Sequence, residues 1–314
     1  MQLFRRVRRF WTEPVRPEPL AAFRIAAGVS ITLSVLLGMA GNLKLMFGDG
    51  GLIPGSTAEE VLARTGRLSL KHGALDGALG SWLLMGLLLG ALVCVTLGYR
   101  TRIAAAVGYV ILVSFTQRSL TLTNGGDDLA VHALFYLVLA PAGAVWSLDA
   151  RRSGGSSAVP AWALRLMQIQ LCLIYSATAL SKIAVAGPQD WLTGEAVYWA
   201  LNDITLTRWS YALLPVPMFL CRILTWSTLL FEVSFPLLVW WSRTRKWLLL
   251  AGLGLHLGIL LTLQVGFFSP NILVFYLLFV PAESLVAARQ WLLERKRAWG
   301  STSVAVARLG DEAR

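Results

Sequence analysis

The feature that most constrains this chain is its set of long apolar runs separated by short loops. A membrane-crossing helix needs ~20 mostly apolar residues. Eight stretches meet that pattern, near 20–41, 81–98, 103–119, 129–146, 162–186, 221–241, 247–265 and 270–286. With no water in the hydrocarbon layer, such segments must satisfy their own backbone groups, which leaves helices as the spanning element. Composition agrees: 56% of residues are hydrophobic, mean hydropathy is +0.63 and 14% are charged, against about 25% charge in soluble domains. The expected fold is all-α, a polytopic membrane helix bundle of about eight transmembrane helices with short interfacial helices on its outer side. Residues 1–19 form a basic cytoplasmic N-terminal segment, 20–286 the transmembrane domain and 287–314 a basic cytoplasmic C-terminal tail.

The net charge of +11 does not mark a nucleic-acid binder, because its placement follows the loops. Arg5, Arg6, Arg8 and Arg9 precede the first run, Arg100 and Arg102 fill the turn after the second, and Arg151 and Arg152 follow the fourth. Arg243, Arg245 and Lys246 join the sixth and seventh runs, and Arg295, Lys296 and Arg297 follow the eighth. Basic residues gathered in every second loop obey the positive-inside rule, so both termini are expected in the cytoplasm. Membrane lipid, anionic lipid included, is the expected partner. The basic start leads into Trp11, Pro14, Pro17 and Pro19 rather than a short apolar core with a cleavage site, so the first span is expected to stay as an anchor. Cys94, Cys172 and Cys221 show no CxxC spacing and read as packing residues. The three histidines lack matching cysteine or acid spacing, so no metal site is expected. No GxSxG, HExxH or Walker loop is present.

The functional question rests on the residues that are not lipid filler. Lys182 lies late in the fifth run, ahead of Gly187-Pro188, Asp190 and Trp191. Tyr175, Ala179, Lys182 and Ala186 share one small, polar helix face, which suits packing within a bundle. A lysine costs about 2.5–3.5 kcal/mol at mid-helix and less near an end. It reads either as a snorkelling side chain or as a buried base. Arg24, one turn into the first run, is expected to snorkel, or else to clamp an anionic group or a helix C-terminus. Glu232, four residues before Pro236, and His256 lie at mid-depth of the sixth and seventh runs. Both are expected to approach one polar cavity, with a satisfied structural histidine as the other reading of His256. Asp127 and Asp128 open the fourth run after Asn124-Gly125-Gly126, one turn before His132. They read as a helix cap or as the rim of an outward-opening apolar pocket lined by Lys182. The candidate site is Lys182 as base, with Asp127, Asp128, His132, Asp190, Trp191, Glu232 and His256 as pocket residues.

Between the runs, Ser56-Thr57-Ala58-Glu59 reads as a capping box. It opens a short interfacial helix that stops near Gly66, with Ala58, Val61 and Leu62 on its apolar side. His72 reads as a solvated loop histidine. Pro141 points to a kink in the fourth span, and DARRSGGSS after it to a flexible linker joining two halves. The loop 187–220 carries Trp191, Tyr198, Trp199, Trp209 and Tyr211. It reads as one or two short helices over the outer mouth, a lid or an interfacial belt. Gly86-x-x-x-Gly90 and Gly254-x-x-x-Gly258 permit close helix approach, and both faces of the seventh helix read as protein-facing. Ser269-Pro270 reads as the start of the last span, which closes near Pro281.

Several segments together carry a family resemblance: GNLKLMFGDGGLIP, NGGDDLAVHALFYLVLAPAGAVWSLD, YSATALSKIAVAGPQDWLTGEAVYWAL and FEVSFPLLVWWSRTRKWLLLAGLGLHLGILLTLQVGFFSPNILVFYLLF. They resemble the bacterial HTTM-domain proteins, whose horizontally transferred transmembrane domain is shared with vitamin K-dependent γ-carboxylase. The resemblance covers about residues 17–285. It implies a multi-pass protein of the bacterial cytoplasmic (inner) membrane, a lipid quinol as ligand class, and reduced vitamin K or menaquinone as cofactor. It also implies that Lys182 is the base acting on reduced vitamin K, since the carboxylase lysine lies in a similar Ala/Gly-x-x-Lys segment before Asp-Trp. Two departures stand out. Ser181 occupies the position of a second carboxylase lysine, and TNGGDDLAVH replaces an Asn-His segment, so that histidine is not carried over to His132. No soluble β-rich domain for a peptide is read on the outer side before Arg314, so glutamate carboxylation is the least supported of what the resemblance implies, and any enzymatic activity is expected to be carboxylase-like or quinone-linked.

Three function classes are left open. The first is an enzyme acting on a lipid quinol or related lipidic substrate with Lys182 as base. The second is a non-catalytic partner in assembly, export or maturation of a secreted peptide or membrane protein. The third is a transporter with Glu232 and His256 along its path, against which the lack of an inverted repeat of broken helices argues.

Overall fold

Helix follows the apolar runs because lipid offers their backbone no alternative hydrogen-bond partner. The computed structural model describes residues 1–47, 51–118, 123–185, 188–209 and 215–296. A basic helix α1 (Gln2–Thr12) leads into α2 (Glu18–Ser34), which continues through a π-helical turn at Val35–Met39 and α3 (Leu43–Met46). The surface helix α4 (Gly55–Thr65) follows, then α5 (Ala78–Leu97), α6 (Thr101–Arg118), α7 (Gly125–Leu139) and the short α8 (Leu148–Ser153). After these come α9 (Trp162–Ala184), the short α10 (Pro188–Thr193) and α11 (Ala196–Asn202), α12 (Met218–Leu238), α13 (Ser242–Thr262) and α14 (Phe268–Tyr276). The last described helix is α15 (Ala282–Lys296). A two-residue ribbon, β1 (Pro14–Val15) antiparallel to β2 (Val159–Pro160), ties the start of the chain to the entry of α9.

The architecture is an all-α membrane helix bundle. Among the described residues five helices are long and apolar enough to cross a membrane: the α2 unit over Glu18–Met46, α5, α9, α12 and α13. The number is six if the pair α14 and α15, bent by 115°, counts as one span. Eight is not reached by this measure. The 15 residues of α7 rise only ~22 Å, and α6 is diluted by arginine at both ends. Both still belong to the bundle. The α5 helix packs between α2 and α6, α6 packs on α7, and α14 packs on α7 and α2. Phe23, Leu88, Leu92, Phe115, Leu134 and Phe275 fill that core. Beside it, α9 packs on α12, α12 on α13, and α13 on α14.

Arg24 organises the end of the bundle that carries the basic turns. It does not snorkel; it is fully buried. Its Nε donates to the Ala142 carbonyl at 3.1 Å, Nη1 to those of Val95 and Thr96 at 2.8 and 2.7 Å, and Nη2 to that of Trp146 at 2.6 Å. The last carbonyls of α5 have no donor within their own helix, and Arg24 supplies one. Gly98 ends α5 at φ +69, where a Cβ would run into Ser147 and Arg24. The Asp149 carboxylate accepts from the Arg100 N–H at 2.8 Å and from the Thr101 N–H and hydroxyl at 2.9 and 2.8 Å. The first part of the segment read as a flexible linker, Asp149–Ser153, therefore lies in the ordered α8, capped by Ser147 and pinned to the turn between α5 and α6.

Other local expectations change for identifiable reasons. Pro141 does not kink α7, which ends at Leu139 with Ala140 extended, because the residue before a proline is pushed out of the helical region. Helix α4 starts before Ser56, with Pro54 as N-cap and no side-chain cap, so the capping box does not form. Glu59 instead lies 3.8 Å from His72. The helix does stop at Gly66, and Ala58 and Leu62 are buried, but Val61 is 40% exposed. Helix α14 begins at Phe268, so Ser269 is inside it, buried with an unpartnered hydroxyl. Gly86, Gly90, Gly254 and Gly258 meet nothing, so neither GxxxG pair packs within the chain. Only the Gly252–His256 face of α13 is buried in protein. Ala186, Gly187, Tyr211 and the tail over 297–314 lie outside the described residues.

Candidate functional site

An offset between α9 and α12 creates the site. Lys182 lies close to the end of α9 at Ala184, whereas Met218 to Glu232 on α12 spans ~21 Å. The two side chains still form an ion pair, so α12 projects well past the end of α9. Helices α10 and α11 fold over the projecting part. The Val197 N–H donates to the Thr225 hydroxyl at 3.1 Å, and the Trp226 indole to the Leu192 carbonyl at 3.2 Å.

Lys182 Nζ donates to Glu232 Oε1, and the Trp191 ring of α10 covers the ammonium with its centre 4.4 Å away. Such a cation–π contact contributes about 0.5–2 kcal/mol. The lysine side chain is 21% exposed and the glutamate 8%. Glu232 Oε2 is buried without a hydrogen-bond partner. Thr178, whose hydroxyl donates to the Ile174 and Tyr175 carbonyls at 3.0 and 3.1 Å, stands beside the carboxylate.

Two turns back along the same face of α9, the Tyr175 hydroxyl bonds His256 Nε2 at 2.8 Å and the Tyr276 hydroxyl at 2.6 Å. His256 Nδ1 is buried and unpartnered. Gly252, one turn before His256, gives the Tyr276 hydroxyl its space; a Cβ there would collide with that hydroxyl and with Phe231. Phe231 and Phe235 pack on the Tyr175 ring with centroids 5.3 and 4.6 Å away. Glu232 and His256 thus border one buried polar cluster, with Tyr175 next to both.

Asp127, Asp128 and His132 are not part of it. The Asn124 side chain accepts from the Gly126 N–H at 2.7 Å while the Asp127 carboxylate accepts from the Asn124 N–H at 3.0 Å, a capping box at the start of α7. His132 Nδ1 bonds the Asp128 carbonyl of its own helix at 2.6 Å. Asp127 lines a separate cavity of ≈ 90 Å³ with Val35, Phe115 and Asn124. The rim expected around Lys182 is therefore corrected. Its charge partner comes from α12, because α9 packs on α12, whereas α7 packs mainly on α6 and α14. Asp190 is exposed on α10 and stays outside the cluster.

Sequence reasoning missed Tyr276, which sits in an unbroken apolar run, and a second charged cluster near the end of α6. There Arg118 Nε and Nη2 donate to the two oxygens of Asp76 at 2.8 and 2.9 Å. Lys71, fully buried, donates to the Ser81 hydroxyl at 2.6 Å, its Nζ 4.8 and 5.2 Å from the Phe47 and Phe115 ring centres. Burial pushes the Lys71 amine below its ordinary range, against the pull of Asp76. The available signal was charge at the edges of apolar runs, which looks like ordinary loop polarity.

Among the described residues no group of three or more His, Cys, Asp or Glu is placed to hold a metal. Within the cluster, the buried polar atoms without a partner are Glu232 Oε2 and His256 Nδ1. A family model described as HTTM domain matches residues 71–283, which contain the whole cluster. No curated protein and no solved structure matches the chain.

Proposed function

We propose a function from the premise that this chain belongs to the HTTM-domain family: it is an integral membrane protein that binds a lipidic substrate bearing a ring hydroxyl, of the quinol type, at the Lys182–Glu232 pair. The observation that carries this reading is a membrane-embedded amine–carboxylate pair with one carboxylate oxygen unpartnered. Passing a proton along the Lys182–Glu232 hydrogen bond would leave the amine a lone pair with which to accept the proton of a hydroxyl placed against it. The Trp191 ring supplies flat apolar surface beside the pair, which suits an aromatic ring, and Glu232 Oε2 supplies an acceptor. Reduced vitamin K or reduced menaquinone has the matching chemistry, a hydroxylated ring on an apolar tail.

Purified protein in lipid nanodiscs, titrated with reduced menaquinone, tests this. We expect saturable binding in the parent chain and at least a tenfold loss in Lys182→Met and Glu232→Gln. Equal binding in well-folded Lys182→Met would remove the lysine from the site. A second reading, a non-catalytic partner for a membrane protein, is favoured by α13, which buries only Gly252 and His256 and leaves Gly254 and Gly258 open. Cross-linking from a cysteine at position 254 to a discrete second protein, with no quinol binding, would favour that reading.

A further inference from the structure

At the basic end of the bundle, far from Lys182, a cavity of ≈ 210 Å³ lies between α2, α9, α13 and the α14–α15 bend, lined in part by Arg165, Gln168, Trp240 and Arg245. A cavity of this size holds several waters, enough room for a phosphate group. We infer that this cavity binds a phosphate-bearing anion, presented by a lipid headgroup or free in solution.

The charges on its walls are the first argument. Arg165 Nη1 donates to Gln168 Oε1 at 3.0 Å, while its Nε is buried with no acceptor. Arg245 donates through Nε and Nη2 to the Val239 and Trp240 carbonyls at 2.9 and 3.1 Å, which caps the end of α12. Among the described residues neither arginine has an ion pair. The acids nearby are held elsewhere. At the cavity edge Glu18 and Glu283 are both bound by Arg16, at 2.6 and 3.0 Å, and Glu13 is exposed and acts on Arg165 only at a distance. Besides Arg16, which Glu18 and Glu283 hold at the edge, two guanidiniums without a carboxylate partner therefore line one cavity. A bidentate phosphate is the group whose geometry and charge complete such a pair.

The second argument is position. Helix α1 seats Phe10 against Trp240, centroids 5.9 Å apart, and under the Arg165 guanidinium at 4.9 Å. On its other side Phe4 and Val7 are 74% and 49% exposed, flanked by Arg5, Arg6, Arg8 and Arg9. A short helix with exposed apolar residues and a ring of arginines lies in the membrane interface, so the cavity beside it opens at headgroup depth. Basic pockets between spanning helices at that level are where anionic headgroups bind.

The test is native mass spectrometry of the full chain in neutral detergent, titrated separately with dioleoylphosphatidylglycerol, dioleoylphosphatidylcholine and inorganic phosphate. We expect one phosphatidylglycerol retained about tenfold more strongly than phosphatidylcholine, with that preference lost in Arg165→Gln. Displacement of the lipid one-for-one by millimolar phosphate would keep the site and assign it to a small anion. Glu283→Gln, on an exposed side chain, removes repulsion at the edge and should tighten retention about threefold; it decides the matter if Arg165→Gln does not fold. Equal retention of the two lipids together with no response to phosphate overturns the inference. So does retention unchanged in both variants.

Discussion

The Lys182–Glu232 pair predicts a specific pattern of stability. Removing one member of a buried ion pair costs about 3–5 kcal/mol, because the other is left charged and unpartnered. Two features of this site reduce that figure. The Lys182 side chain is 21% exposed, so water reaches part of it, and an abandoned Glu232 can neutralise itself by taking up a proton. We therefore expect Lys182→Met and Glu232→Gln each to lose ~2–4 kcal/mol. The double variant removes both charges and leaves neither stranded, so its loss should fall short of the sum by ~2–3 kcal/mol, within the usual range for directly coupled residues. Denaturant unfolding of the four proteins in one detergent, followed by tryptophan fluorescence and helical circular dichroism, measures the cycle. Strictly additive losses would refute the pairing, and with it the argument that α12 projects past α9 to bring Glu232 to Lys182.

Three further outcomes follow from other parts of the bundle. Arg24→Met strands the Thr96, Ala142 and Trp146 carbonyls, while that of Val95 keeps the Gly98 N–H; at ~1–3 kcal/mol for each unsatisfied group it should prevent recovery of folded protein, while Arg24→Lys should give protein of reduced thermal stability. Gly252→Ala places a Cβ on the Tyr276 hydroxyl; overpacking of this kind costs ~1–3 kcal/mol, and the melting temperature should drop far more than for Gly254→Ala, which meets nothing. Burial works to raise the Asp149 carboxyl, but hydrogen bonds from Thr101 and Arg100 outweigh it and hold the group below its ordinary 3.8. The stability it contributes is fully present above that value and is lost as pH falls through the lower folded value; Asp149→Asn should remove this acid-sensitive step from a pH series of melting curves.

Much of the scaffold was legible along the chain. Hydropathy over about twenty residues marks a membrane helix wherever it later packs, and Gly66 and Gly98 end helices for reasons contained in a few residues. The bundle-facing side of α9 was legible in the same way, since Tyr175 and Ala179 are buried and Lys182 follows them on one face. Boundaries were less so. Pro54 displaced the Ser56 cap and Phe268 displaced the Ser269 start because such competitions turn on one residue of backbone geometry.

By itself, then, the sequence determined that this is a membrane helix bundle, which loops are basic, and which few polar residues must find partners inside it. Those are properties of local windows, set by burial and periodicity. Only the tertiary structure decided which partners they find. Arg24 meets the end of α5 rather than the lipid interface, and Lys182 meets Glu232 rather than Asp127. Each choice depends on which helices are neighbours and how far one is shifted along another. Those quantities are set by packing summed over the whole bundle, so no single stretch of residues contains them.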